Sequence, residues 1–180
     1  MPSREIRPQG PRRGRRKGRA TKDAERRALA KANAAPDGHA PAPRPGFAVL
    51  QADGGARGAP GPAGIGYLLD DETGRRIAEH AEPIASATAA EAEYRALLAG
   101  LVGAHELGLT RLIARSDSRL LIGHLSGERG IRSPPLLALQ AEIGDRRMRI
   151  GTVLFEWIPA SANGAAHELV AGVLRAGENT

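Results

Sequence analysis

Residues 47–66 read FAVLQADGGARGAPGPAGIG. A mostly apolar run, 47–52, leads straight into Asp53, and a Gly- and Pro-rich stretch follows before the chain turns apolar again. A run that is apolar on both faces belongs to a central strand. A carboxylate at the end of such a strand is costly to desolvate, so it needs a metal, a cation or hydrogen-bond donors to stay there. Asp53 is therefore the expected centre of the chemistry, and the glycines and prolines after it are expected to form a turn.

Working outward, 65–69 reads as a second strand, the DDETG at 70–74 as a turn and 75–82 as a third strand. Short connections favour an antiparallel meander. A long helix is predicted over 89–107, where Tyr94, Leu97, Leu98, Leu101, Val102 and His105 recur at three- and four-residue spacing. Thr88 with Glu91 has the spacing of a capping box, and Gly108 stands where a C-terminal glycine cap belongs. The same stripe puts His105 in the core or at its boundary. A strand over 112–116, a short helix over 118–125, a helix over 136–148 opened by Pro134 and Pro135, a strand over 153–158 and a helix over 164–175 complete the order. The fold class is α/β: a mixed five-stranded sheet, three antiparallel strands followed by two parallel ones, flanked by helices.

The 180 residues have room for one domain and a tail. Residues 1–46 read as a basic arm and a Pro-rich linker, and 47–180 as the domain. Within 1–35, twelve Lys or Arg face three acidic residues, a net +9, whereas the remainder carries a net −3; all three lysines, Lys17, Lys22 and Lys31, lie in the arm. Residues 1–20 have almost nothing to bury and read as disordered in isolation, and 21–35 as a marginal helix at most. Such polarity suits a polyanion, and an arm that contacts nucleic-acid phosphates gains salt-sensitive affinity by releasing counterions.

Cysteine is absent, which removes disulfides, thiolate zinc sites and cysteine nucleophiles together and points to a reducing cytoplasm. No apolar run approaches eighteen residues and no apolar segment follows the first positive charges, so neither a membrane span nor a secretory signal is expected. Gly64-x-Gly66 lacks a third glycine at dinucleotide-binding spacing, and no Walker A pattern occurs.

Three acidic residues fall where one topology can bring them together. Asp53 ends the first strand, Glu93 lies in the first turns of the long helix, and Asp117 ends the fourth strand. If the first and fourth strands are parallel neighbours, Asp53 and Asp117 emerge at the same sheet edge, where open α/β sheets place their sites. Carboxylate oxygens are hard ligands suited to Mg²⁺ or Mn²⁺. Two such ions about 4 Å apart can clamp both the attacking and the leaving oxygen of a phosphodiester. Each residue also has a plainer use: Asp117 as a helix N-cap, Glu93 as a complement to the helix dipole, Asp53 as a turn former.

The run from Asp53 to Gly64, followed by Glu93 within AEYRAL at 92–97, Ser116-Asp117-Ser118, and Asn163-x-x-Ala166-His167-x-Leu169, resembles the type 1 ribonuclease H family over about 47–176. The resemblance implies the mixed five-stranded sheet and hydrolysis of the RNA strand of RNA/DNA hybrids with two Mg²⁺ ions. It implies catalytic roles for Asp53, Glu93, Asp117 and the position of His167, with Asp53 bridging both metals and Glu93 and Asp117 completing the set on one of them. Gly54, Arg57, Gly58, Thr88, Ser118 and Asn163 are the positions implied to meet nucleic acid. A monomer is expected.

The family usually has a carboxylate where this chain has His167. Imidazole suits softer metals than Mg²⁺, so Mn²⁺ is the expected preference. Asparagines common in the family are replaced by Ala59, Ala89 and Ala90, which leaves backbone N–H groups and Thr88 to contact sugar and phosphate. The basic arm would offset that loss by holding the polyanion nearby. Two alternatives stay open: a nucleic-acid-binding module of the same fold without catalysis, and a related nuclease with another substrate.

Overall fold

A computed structural model describes residues 39–177. The predicted helix at 21–35 and most of the arm lie outside the described residues. Five strands form one sheet: β1 (Ala48–Ala56), β2 (Gly61–Asp70), β3 (Arg76–Ala87), β4 (Arg111–Ser116) and β5 (Thr152–Trp157). Four helices flank it: α1 (Ala89–Glu106), α2 (Arg119–Leu125), α3 (Pro134–Ile150) and α4 (Gly164–Ala176), the last preceded by a 3₁₀ turn, Ala160–Ala162. The strand order is β3-β2-β1-β4-β5. β1 and β2 are antiparallel, as are β2 and β3, while β4 runs parallel to both β1 and β5. This is the mixed sheet expected from the sequence.

The first three strands are longer than predicted, β2 beginning at Gly61 rather than at 65. β1 does not end at Asp53 but continues to Ala56, since Gly54, Gly55 and Ala56 stay in register with Ile65, Gly64 and Ala63 of β2. The hairpin closes only at Arg57, whose N–H donates to the Pro62 carbonyl at 2.8 Å. The parallel ladder to β4 stops earlier, at Gln51 opposite Arg115. Asp53 therefore lies beyond the β1–β4 ladder but within the β1–β2 ladder, which corrects the expectation that the strand ends there and a turn follows. β3 runs through Pro83 to Ala87. It is an edge strand with an unpartnered side, where a proline costs no ladder hydrogen bond.

The main core lies between α1 and the sheet. Leu50, Leu69, Tyr94, Leu97, Leu101, Leu112 and Leu121 are all fully buried there. α1 seats itself with small residues as well as large ones: Ala92, Ala96, Gly100, Gly103 and Ala104 are buried. A Cβ on Gly100 would come within 2.4 Å of the Leu50 side chain, which fills the space opposite this glycine. His105 is exposed, which corrects its expected place in the core or at its boundary. The capping box holds: the Thr88 hydroxyl accepts from the Glu91 N–H at 3.2 Å, and the Glu91 carboxylate accepts from the Thr88 N–H at 2.7 Å.

On the sheet surface away from α1, Arg115 and Glu156 form an ion pair at 3.1 Å with both side chains 5% exposed. Arg115 Nη2 also donates to the Pro41 carbonyl. The described end of the predicted linker is thus fixed to β4, two residues before Asp117.

Candidate metal centre

Gly54 decides how close α1 comes to β1. A Cβ there would lie 2.2 Å from the Ala92 backbone, so only glycine lets the first turn of α1 settle on the strand. That contact sets Glu93, next to Ala92, beside Asp53. The parallel pairing of β1 with β4 brings in Asp117, one residue past the end of β4. Strand, helix and strand end thereby deliver three carboxylates to one edge of the sheet.

Each carboxylate is held by a named donor. Ser118 Oγ donates to Glu93 Oε2 at 2.5 Å, and the same hydroxyl accepts from the Leu121 N–H at 3.2 Å, so Ser118, not Asp117, caps α2. Asn163 Nδ2 donates to Asp117 Oδ1 at 2.9 Å and to the Ala52 carbonyl at 3.1 Å. Asp53 Oδ2 meets His167 Nδ1 at 3.2 Å. The indole N–H of Trp157 donates to the Asp117 carbonyl at 3.0 Å, and the Arg119 guanidinium lies 3.6 Å over the indole ring. Gln51 Nε2 donates to the Ala162 carbonyl at 2.8 Å and so ties β1 to the turn that leads into α4.

The electrostatics follow from this crowding. Burial raises Glu93 to about 7; the Ser118 hydroxyl acts against that rise, and the charges of Asp53 and Asp117 add to it. Asp53 is also raised, first by burial and then by Asp117, with His167 and the Gly54 N–H opposing. Carboxylates that raise one another's affinity for protons are sites that a cation would relieve.

The donors suit a hard divalent ion in kind, being carboxylate oxygens with one imidazole. Among the described residues, however, no group of three His, Asp or Glu side chains is arranged to hold an ion at once. The reason is visible in the hydrogen bonds: Asp53, Glu93 and Asp117 are each turned onto a different donor. One oxygen of Glu93 and one of Asp117 are engaged in this way, so a cation would have to draw the second oxygens together. A buried acceptor also lacks a partner here, Oδ1 of Asn163. Such an orphan costs about 1–3 kcal/mol and would be relieved by a donor such as an ion's bound water.

The expected nucleic-acid positions divide. Arg57 and Gly58 are exposed on the β1–β2 hairpin, and Thr88 and Ser118 are half-buried, each occupied in capping. Gly54 is buried under α1 and Asn163 is fully buried. Arg57 also lines a groove of about 350 Å³ that runs from Asp53 and His167 along Val170 and Leu174 to Arg175. Sequence reading missed Gln51, Arg119 and Trp157. Gln51 carried a signal, being a polar residue two before Asp53 in an otherwise apolar run; Trp157 carried none.

A family profile described as reverse transcriptase-like matches residues 51–173. The bifunctional protein Rv2228c of Mycobacterium tuberculosis is 38% identical over 124 residues, 67% of this chain and 34% of that protein. Ribonuclease HI of Halobacterium salinarum is 39% identical over 84 residues, 47% of this chain and 42% of that protein. The chain thus spans about a third of the length of the mycobacterial relative and less than half of the halobacterial one. Among solved structures, the N-terminal RNase H domain of Rv2228c superposes with a TM-score of 0.71 at 34% identity, covering 74% of this chain and 96% of that one. RNase H1 of Halobacterium salinarum gives 0.70 at 30%, covering 72% and 98%. LC11-RNase H1, isolated from compost and solved in complex with an RNA/DNA hybrid, gives 0.68 at 32%, covering 72% and 98%.

Proposed function

Because this chain belongs to the type 1 ribonuclease H family, we propose that it is a metal-dependent endoribonuclease hydrolysing the RNA strand of RNA/DNA hybrids. The observation that carries this reading is the delivery of Asp53, Glu93 and Asp117 to one sheet edge by β1, α1 and β4, with Asp53 and Glu93 raised in pKa by burial and mutual repulsion. When bound there, two divalent ions supply an activated water and stabilise the departing oxygen. Asp53 would serve both ions, and Glu93 and Asp117 would complete the set on one of them. Ser118 fixes the Glu93 carboxylate, and Trp157 fixes the backbone of Asp117. His167, largely exposed beside Asp53, offers a nitrogen at the position where the resemblance implies a carboxylate. Arg57 on the hairpin and the basic arm attract the phosphates of the hybrid.

A cleavage assay on a labelled hybrid tests this. We expect product with Mg²⁺, more with Mn²⁺ because of the imidazole, and loss of at least about 10³-fold on Asp53→Asn, as when a preorganised charge-stabilising group is removed. Equal cleavage by Asp53→Asn, or none by the wild type with either ion, overturns it. His167, standing beside Asp53 where a fourth carboxylate is usual, leaves a second reading, a hybrid-binding module without catalysis. That reading predicts binding that survives EDTA and no cleavage at all.

A further inference from the structure

We propose that Asn163 is the positioning residue of the site: one buried side-chain amide holds both the strand that carries Asp53 and the carboxylate of Asp117, from a residue whose backbone opens the helix that carries His167. Asn163 is 0% exposed. Its Nδ2 donates to the carbonyl of Ala52, the residue before Asp53, at 3.1 Å, and to Asp117 Oδ1 at 2.9 Å. Its own backbone carbonyl accepts from the His167 N–H at 3.1 Å. The orientation of the amide is dictated chemically, since the Ala52 carbonyl can only accept and so must face the NH₂ group.

The remaining atom sharpens the assignment. Oδ1 is buried without a donor, a cost that an apolar side chain of similar size would remove. A residue kept only to fill space would not carry that cost. What an apolar replacement could not supply is the pair of N–H donors, and both are spent on segments that bear site residues. With Asp117 Oδ1 held, Oδ2 is the oxygen left to face a cation. The inference rests on the proposed metal-dependent reading for its meaning, but it makes a claim about the site that is measurable without turnover.

The test compares wild type with Asn163→Leu, matched in size and lacking donors, using Mn²⁺ as probe and water-proton relaxation to read affinity. We expect the Leu variant to stay folded, to bind Mn²⁺ at least tenfold more weakly, and to lose kcat on the hybrid with KM little changed. Mn²⁺ affinity and kcat within twofold of wild type overturn the proposal, as does a raised KM with kcat unchanged, which would make Asn163 a substrate contact. Should the variant not fold, the side-chain amide of Asn163 in the wild type is followed by ¹⁵N NMR. Slow exchange of its NH₂ protons and a shift of its resonance on adding Mg²⁺ support the assignment; fast exchange or an unmoved resonance overturns it. If wild type binds Mn²⁺ but cuts no hybrid, the functional reading fails while the positioning role is still decided by the metal titration.

Discussion

Glu93 is a carboxylate lifted to about 7, first by burial. Its unfolded value is 4.5, so between those two points the unfolded chain gives up the proton while the folded chain keeps it. Stability is then fully present below the lower value and is lost as pH rises through the upper one. Asp53, raised for the same first reason, acts in the same direction. The metal-free protein should therefore melt at a higher temperature near pH 5 than near pH 8, measured in EDTA, and a divalent ion at the higher pH should recover the difference. A melting temperature that rises with pH across that window would mean the carboxylates are already neutralised by other groups.

The first turn of α1 and the end of β1 form a single device, and Gly54 is its hinge point. Gly54→Ala places a methyl group against the Ala92 backbone. We expect a loss of about 1–3 kcal/mol in urea denaturation from overpacking, and cleavage lowered about 10²-fold, the order expected when a reacting group is displaced by an ångström. Gly144→Ala is the control: a Cβ there meets nothing, and in a helix the change should be neutral or stabilising by up to about 1 kcal/mol. The strands and helices are legible in the sequence because apolar periodicity and capping residues act locally, and Asp53, Glu93 and Asp117 can be picked out because each follows such a signal. Gly54, by contrast, reads locally as turn chemistry and Asn163 as a nucleic-acid contact. In both cases the decisive partner is far along the chain, Ala92 for one and Asp117 for the other, and no local pattern encodes that pairing.

Taken whole, the molecule pairs a body of net negative charge with an arm of net +9 over residues 1–35. Removing residues 1–38 leaves the Pro41–Arg115 hydrogen bond in place and should weaken hybrid binding while flattening its dependence on salt, the slope falling by just under one for each phosphate the arm no longer neutralises. An unchanged slope would show that the arm does not touch the polyanion. The chain also contains one tryptophan, and its indole N–H is bonded to the carbonyl of Asp117 under the Arg119 guanidinium. Excited selectively at the red edge of its absorption, away from Tyr67 and Tyr94, it gives a single signal originating beside the carboxylate cluster. Occupation of that edge can be followed by intrinsic fluorescence, in real time and without a label.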